Sequence, residues 1–174
     1  IMHQNEGLCF VDFACSAPYI DINMRPTDQH EHLDAIYFSP HKFLGGPGSS
    51  GILVFDQKLY KNKIPDNPGG GTVDWTNPWN EYKYVENIEA REDGGTPGFL
   101  QSIKAALAIE LKEQMGVENI LQREEELLKI ALPGLRKIEG IEILADNVDD
   151  RLGVISFYHP EIHFNLFVKL LNDL

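Results

Sequence analysis

One stretch restricts the rest of the chain more than any other: Ser39–Gly51, reading SPHKFLGGPGSSG. The apolar run Asp34–Phe38 leads into it and a second, Ile52–Phe55, leads out. Short apolar runs bounded by turn residues read as strands, so the segment is strand, loop, strand. The loop sets His41 and Lys42 beside a glycine cluster at a strand end. A lysine held in a pocket there loses hydration, which disfavours the ammonium and frees the amine as a nucleophile. That is the chemistry a Schiff-base lysine needs. A surface lysine beside a flexible turn is the plainer reading of the same residues. A phosphate loop is excluded, because GGPGSSG has no closing Lys-Ser or Lys-Thr and leads into a strand instead of a helix.

Upstream, Leu8–Val11 is a continuous apolar run that closes on Asp12. A buried parallel strand reads this way, and ligands of open α/β sheets bind at the carboxyl ends of such strands. Taken alone, Asp12 is equally a turn-forming aspartate. Residues 19–32 read as a loop and a polar helical turn, a crossover to the strand that delivers Ser39, His41 and Lys42. Farther along, Gly95, Thr96 and Pro97 precede a long helical pattern. A threonine before a proline that opens a helix suits an anion site, and Thr96 as a plain N-cap is the alternative.

Together these residues resemble the cofactor-lysine region of class V aminotransferase-like enzymes that use pyridoxal 5′-phosphate, the group holding cysteine desulfurases and selenocysteine lyases. The resemblance is carried by Ser39, His41, Lys42, Gly46, Pro47, Gly51 and Leu53, by Asp12 and Ala14, and by Gly95, Thr96 and Pro97. It implies an α/β fold: part of a type I large domain, a mostly parallel sheet with helices, plus the start of an α+β small domain. By the same resemblance Lys42 forms the Schiff base and Asp12 pairs with the pyridine nitrogen. Ser39 and His41 hold the phosphate, and Thr96 reaches the phosphate of the other subunit in a homodimer. Cys15 stands where the family has a glutamine on the ring's phenolic oxygen; a thiol is a weaker donor, and a small buried residue is the other reading. The implied reaction is of the cysteine desulfurase or selenocysteine lyase type, on a small amino-acid substrate. The alternatives are another enzyme of the family, an aminotransferase or epimerase, or a non-catalytic dimerisation or binding chain. The family's phosphate loop, ring-stacking aromatic, carboxylate-binding arginine and persulfide cysteine have no counterpart among these residues. The expectation is therefore a C-terminal-half piece, inactive alone, whose first residues continue a helix closed by Gly7.

Composition narrows the field further. Fifteen Lys and Arg against 27 Asp and Glu leave a net charge of −12, which argues against nucleic-acid or anionic-membrane partners. Two cysteines, Cys9 and Cys15, make no disulfide framework and suit a reducing, cytoplasmic setting. With His30 and His32 they match no common zinc spacing, so no metal is expected. Residues 65–81, rich in Gly, Pro, Asn and Trp, read as a long ordered loop, and 82–92 as a further strand. Leu100, Ile103, Leu107, Leu111 and Met115 define one apolar face on a helix over 98–115. A second helix over 117–137 is expected to kink or end early at Pro133. Two strands, 141–144 and 152–158, and an amphipathic helix over 162–174 complete the chain. The expected division is residues 1–116 for the cofactor domain and 117–174 for a bridging helix and an incomplete small domain.

Overall fold

The computed structural model describes residues 1–174, apart from the side chain of Gln29. Its main sheet has three strands in the order β1 (Phe10–Asp12), β2 (Ala35–Phe38) and β3 (Ile52–Phe55). β1 runs parallel to β2, with Phe10 opposite Ala35 and Asp12 opposite Tyr37. β2 runs antiparallel to β3, with Ala35 opposite Phe55. Parallel neighbours need a crossover of a dozen or more residues. Among the described residues, 13–34 provide it without an α-helix, through one 3-10 turn, Gln29–Glu31, capped by the Asp28 carboxylate on the His30 N–H.

Four strands and four α-helices follow or flank this sheet. β4 (Val73–Thr76) and β5 (Tyr82–Tyr84) form an antiparallel hairpin. α1 is Ile88–Glu92, α2 Phe99–Met115 and α3 Val117–Leu135. β6 (Glu142–Ile143) pairs antiparallel with β7 (Phe157–Tyr158), and α4 is Phe164–Asp173. Close contacts divide the chain into two units: Ile1–Pro18 with Ile22–Lys112, and Tyr19–Asp21 with Glu113–Leu174. Among the described residues no helix is long and apolar enough to cross a membrane.

Several expectations need correcting. The segment 65–81 is not a plain loop, because it contains β4. Its cluster of Asn, Pro and Trp is the hairpin turn: the Asn77 side-chain oxygen accepts the N–H groups of Trp79 and Glu81, and Asn80 takes a left-handed φ of 63°. Only the first three residues of 82–92 are strand; Asn87 then caps α1 through the Ala90 N–H. α2 forms as expected, but its leucine face is not the one that packs. Leu100 is 79% exposed and Leu107 58%, whereas Ala105 and Ala108 are 3% exposed. The helix approaches its neighbours on small side chains, which leaves the larger face outward. Pro133 does not break α3, which continues to Leu135; so close to the helix end it forfeits little. At the amino terminus the left-handed residue that closes the 3-10 turn His3–Asn5 is Glu6, not Gly7, whose N–H returns to the Met2 carbonyl.

A compact polar cluster ties residues 60–66 to α1. The Tyr60 hydroxyl donates to one Glu92 oxygen and the Asp66 N–H donates to the other at 3.0 Å. The Arg91 guanidinium lies 5.3 Å from the centre of the Tyr60 ring and donates to the Val85 carbonyl. The hydrogen bond from Tyr60, then that from Asp66, hold the Glu92 carboxyl below its ordinary pKa. Such a group stabilises the fold above its unfolded pKa of about 4.3, and the contribution fades as pH falls through the folded value. Urea unfolding should therefore find Glu92→Gln less stable than wild type at pH 7, with the gap closing below about pH 4.

Candidate active site

Because β1 and β2 are parallel, their carboxyl ends lie at one edge of the sheet. The Phe13 N–H extends the ladder by donating to the Tyr37 carbonyl at 2.9 Å. Asp12 and Tyr37 are register partners, so their side chains share a face, while Phe38 points to the opposite, core-packed face. Ser39 is the next residue, and the chain then folds back in a 3-10 turn, Pro40–Lys42, with buried Pro40 at its first position. The Lys42 N–H returns to the Ser39 carbonyl at 3.1 Å and the Phe43 N–H to Pro40 at 2.9 Å. Asp12, Ser39, His41 and Lys42 therefore stand at the ends of adjacent parallel strands. Asp12 also makes the turn predicted as its alternative, accepting the Ala14 N–H at 2.7 Å. Cys15 lies in the turn after β1 and is exposed, so it is not the small buried residue that was one reading of it. His41 and Lys42 are exposed too, and the dry pocket expected around the lysine is not formed by the described residues.

The turn is held from below. Phe43 is buried with Ala17 and Ala108, and Phe13, Ile22, Phe38 and Ile109 pack around them. The rings of Phe38 and Phe43 stack with centroids 5.9 Å apart. Lys112, on α2, donates to the Ala17 carbonyl at 2.7 Å and lies 5.8 Å from the centre of the Phe43 ring. One ammonium thus ties the turn after β1 to the turn after β2. Sequence reasoning missed this buttress, although the signal was there: Ala105, Ala108, Ile109 and Lys112 recur at helical spacing on one face.

The glycine loop is shaped by contact as well as by backbone freedom. A Cβ on Gly46 would sit 1.8 Å from the Pro40 carbonyl oxygen, so only glycine lets the loop close on the lysine turn. Beyond it the Ser50 N–H donates to the Gln101 carbonyl of α2 at 3.3 Å. The Ser49 hydroxyl is buried in this loop with no hydrogen-bond partner. An acid, an amine, a hydroxyl and an imidazole on one strand edge, with an unpaired hydroxyl in the adjoining loop, match the donor and acceptor set of a phosphorylated pyridine aldehyde.

Thr96 stands apart. It is exposed on a loop docked against residues 67–72, where the Gly95 N–H donates to the Gly70 carbonyl at 2.9 Å. α2 begins at Phe99, three residues later, so Thr96 is not its N-cap. Among the described residues no hydrogen bond joins it to Asp12, Ser39, His41 or Lys42.

Comparison with known proteins bears on the whole chain. The family described as "Aminotransferase class-V" matches residues 1–174. The chain belongs to that family. A relative named "Probable cysteine desulfurase", from Staphylococcus epidermidis, is 33% identical over 160 residues, 92% of this chain and 37% of its own length. The apo structure of a cysteine desulfurase from Thermococcus onnurineus NA1 superposes with a TM-score of 0.81 at 28% identity, over 98% of this chain and 41% of that one. A third structure, C-DES with glycine covalently linked to its PLP cofactor, gives 0.72 at 18% identity, over 91% of this chain and 40% of that one. The chain thus spans well under half the length of these relatives. The fold is the α/β type I class expected from the residues around Lys42.

The close approach at Gly46 can be tested without any ligand. Gly46→Ala forces a methyl into the Pro40 carbonyl and should cost about 1–3 kcal/mol or more in urea unfolding. Gly51→Ala, with no atom within 4 Å of its Cβ, should stay within about 0.5 kcal/mol of wild type.

Proposed function

We propose that this chain supplies the lysine-bearing part of a pyridoxal 5′-phosphate enzyme that acts on a small amino acid, of the cysteine desulfurase type. The observation that supports it best is the single strand edge shared by Asp12 and the Lys42 turn. In this reading residues 1–116 hold the cofactor and 117–174 belong to a smaller α+β domain. Selenocysteine in place of cysteine is the alternative substrate within the same chemistry, and two free thiols suit a reducing, cytoplasmic compartment.

Each residue then has a distinct task. The Lys42 amine would hold the cofactor's aldehyde carbon and, when free, would take up and return the proton at the substrate Cα. The Asp12 carboxylate would hold the proton on the pyridine nitrogen. When bound, the cofactor supplies an electron sink whose strength depends on that proton. Ser39 and His41 would donate to the phosphate, and the Cys15 thiol would donate to the ring oxygen. Thr96, away from this edge in its own chain, serves the phosphate of a second copy in a homodimer. The Phe43–Lys112 buttress keeps the lysine turn in place while the amine is attached or free.

Borohydride reduction after incubation with pyridoxal phosphate, followed by peptide mass analysis, tests the assignment. The label is expected on Lys42 and is expected to disappear in Lys42→Ala. Asp12→Asn should keep the label but weaken cofactor binding by roughly tenfold or more, the loss of one charge-assisted hydrogen bond. Labelling spread over surface lysines, unchanged in Lys42→Ala, would overturn the proposal.

A further inference from the structure

At the amino-terminal end of β2, the end away from Ser39, three ligand-type side chains converge on one point. The His3 Nε2 lies 2.8 Å from Asp34 Oδ2, and the His32 Nε2 lies 3.3 Å from Asp34 Oδ1. One ligand atom from each of the three falls within 4.8 Å of the others. The other nitrogen of His3 fixes how its ring is used. His3 Nδ1 is 2.9 Å from the His30 carbonyl oxygen, which can only accept, so Nδ1 carries the proton. In the neutral ring Nε2 then presents a lone pair, and it faces a carboxylate oxygen at contact distance. A proton on Nε2 bridges the pair as an imidazolium–carboxylate hydrogen bond, and a metal ion can take that proton's place.

We propose that His3, His32 and Asp34 form a binding site for a divalent transition-metal ion of the zinc type, separate from the lysine edge. Two imidazoles and one carboxylate are the ligands zinc prefers, and water would complete the tetrahedron. The orienting partners are already in place. The His30 carbonyl takes the His3 Nδ1–H, and the Cys9 N–H donates to Asp34 Oδ2 at 2.7 Å. Outer contacts of this kind set ring tautomer and carboxylate orientation at metal centres. Asp34 is buried and His3 half-buried, while His32 is the more open side, where a water ligand has room. Ligands each about 2.0–2.1 Å from one ion stand roughly 3.3 Å apart. His32 Nε2 already stands at that distance from Asp34 Oδ1, while His3 Nε2 lies closer, at 2.8 Å, to the other oxygen, Oδ2, so the carboxylate must turn for one oxygen to serve an ion held by both imidazoles. The two imidazoles stack at 3.8 Å with planes 11° apart, so binding also tilts them to aim both nitrogens at the ion.

Such an ion would brace the first turn, His3–Asn5, against the crossover turn and β2. Asp34 lies five residues, about 16 Å of extended chain, from Ser39, so the ion's role is to hold the amino-terminal segment, not to join the chemistry at Lys42. The earlier expectation of no metal weighed Cys9, Cys15, His30 and His32. The set that the fold assembles shares only His32 with that group.

Isothermal titration of the full chain with Zn²⁺, after chelator treatment and without pyridoxal phosphate, tests this, with Co²⁺ absorption as a probe of geometry. One Zn²⁺ per chain is expected, with the intense visible bands of tetrahedral Co²⁺. His32→Gln should weaken binding at least tenfold and abolish those bands, whereas His30→Gln, which keeps its backbone carbonyl, should leave both unchanged. Asp34→Asn should weaken binding too, and His3→Gln repeats that test if Asp34→Asn fails to fold. No stoichiometric binding, or an affinity that His3→Gln and His32→Gln leave as in wild type, would overturn the site and leave a proton as the only cation between His3 and Asp34.

Discussion

The parallel pairing of β1 with β2 is the constraint from which the rest follows. An antiparallel pair would send the carboxyl ends of the two strands to opposite edges of the sheet. Parallel pairing brings them together, so Asp12, ending one strand, stands beside the turn that carries Ser39, His41 and Lys42 after the other. Strand order alone does not hold a lysine turn in place. The turn closes because Pro40 starts a 3-10 helix, Phe43 anchors its far side in the core, and Gly46 lets the loop pass over the Pro40 carbonyl. Fully burying a phenylalanine side chain is worth about 1.5–3 kcal/mol. The polar edge is thus built on an apolar foot, and Lys112 ties that foot to the turn after β1.

The strand-level organisation was legible in the sequence because its signals are local. Leu8–Val11, Asp34–Phe38 and Ile52–Phe55 are short apolar runs closed by turn residues, and all three became strands of one sheet in the expected senses. The stretch Ser39–Gly51 was legible for the same reason: its Pro and Gly positions dictate a turn wherever it occurs. The candidate site was legible as a set of residue types, and the fold brings four of the six candidates, Asp12, Ser39, His41 and Lys42, to the same edge, with Cys15 in the turn beside it.

What escaped the sequence depends on neighbours. The packing face of α2 was not legible because apolar periodicity counts large side chains, whereas the helix packs through Ala105 and Ala108. The β4–β5 hairpin was hidden because its short strands sit in a stretch dominated by Gly, Pro and Asn, and Asn77 makes the turn with its side chain. The His3–Asp34–His32 cluster was hidden because no spacing rule joins residues 3 and 32. Asp34 also sat inside what read as a plain apolar run. Only the crossover geometry, with the Cys9 N–H on the carboxylate, brings them to one place.

The central claim is that one pyridine ring can touch both the acid at the end of β1 and the amine after β2. A crystal structure of the protein with pyridoxal phosphate tests this most directly. The account predicts continuous density from Lys42 Nζ to the ring, with an Asp12 carboxylate oxygen at hydrogen-bond distance, roughly 2.7–2.9 Å, from the ring nitrogen. A ring joined to Lys42 with its nitrogen in solvent, and Asp12 still engaged only with the Ala14 N–H, would contradict it.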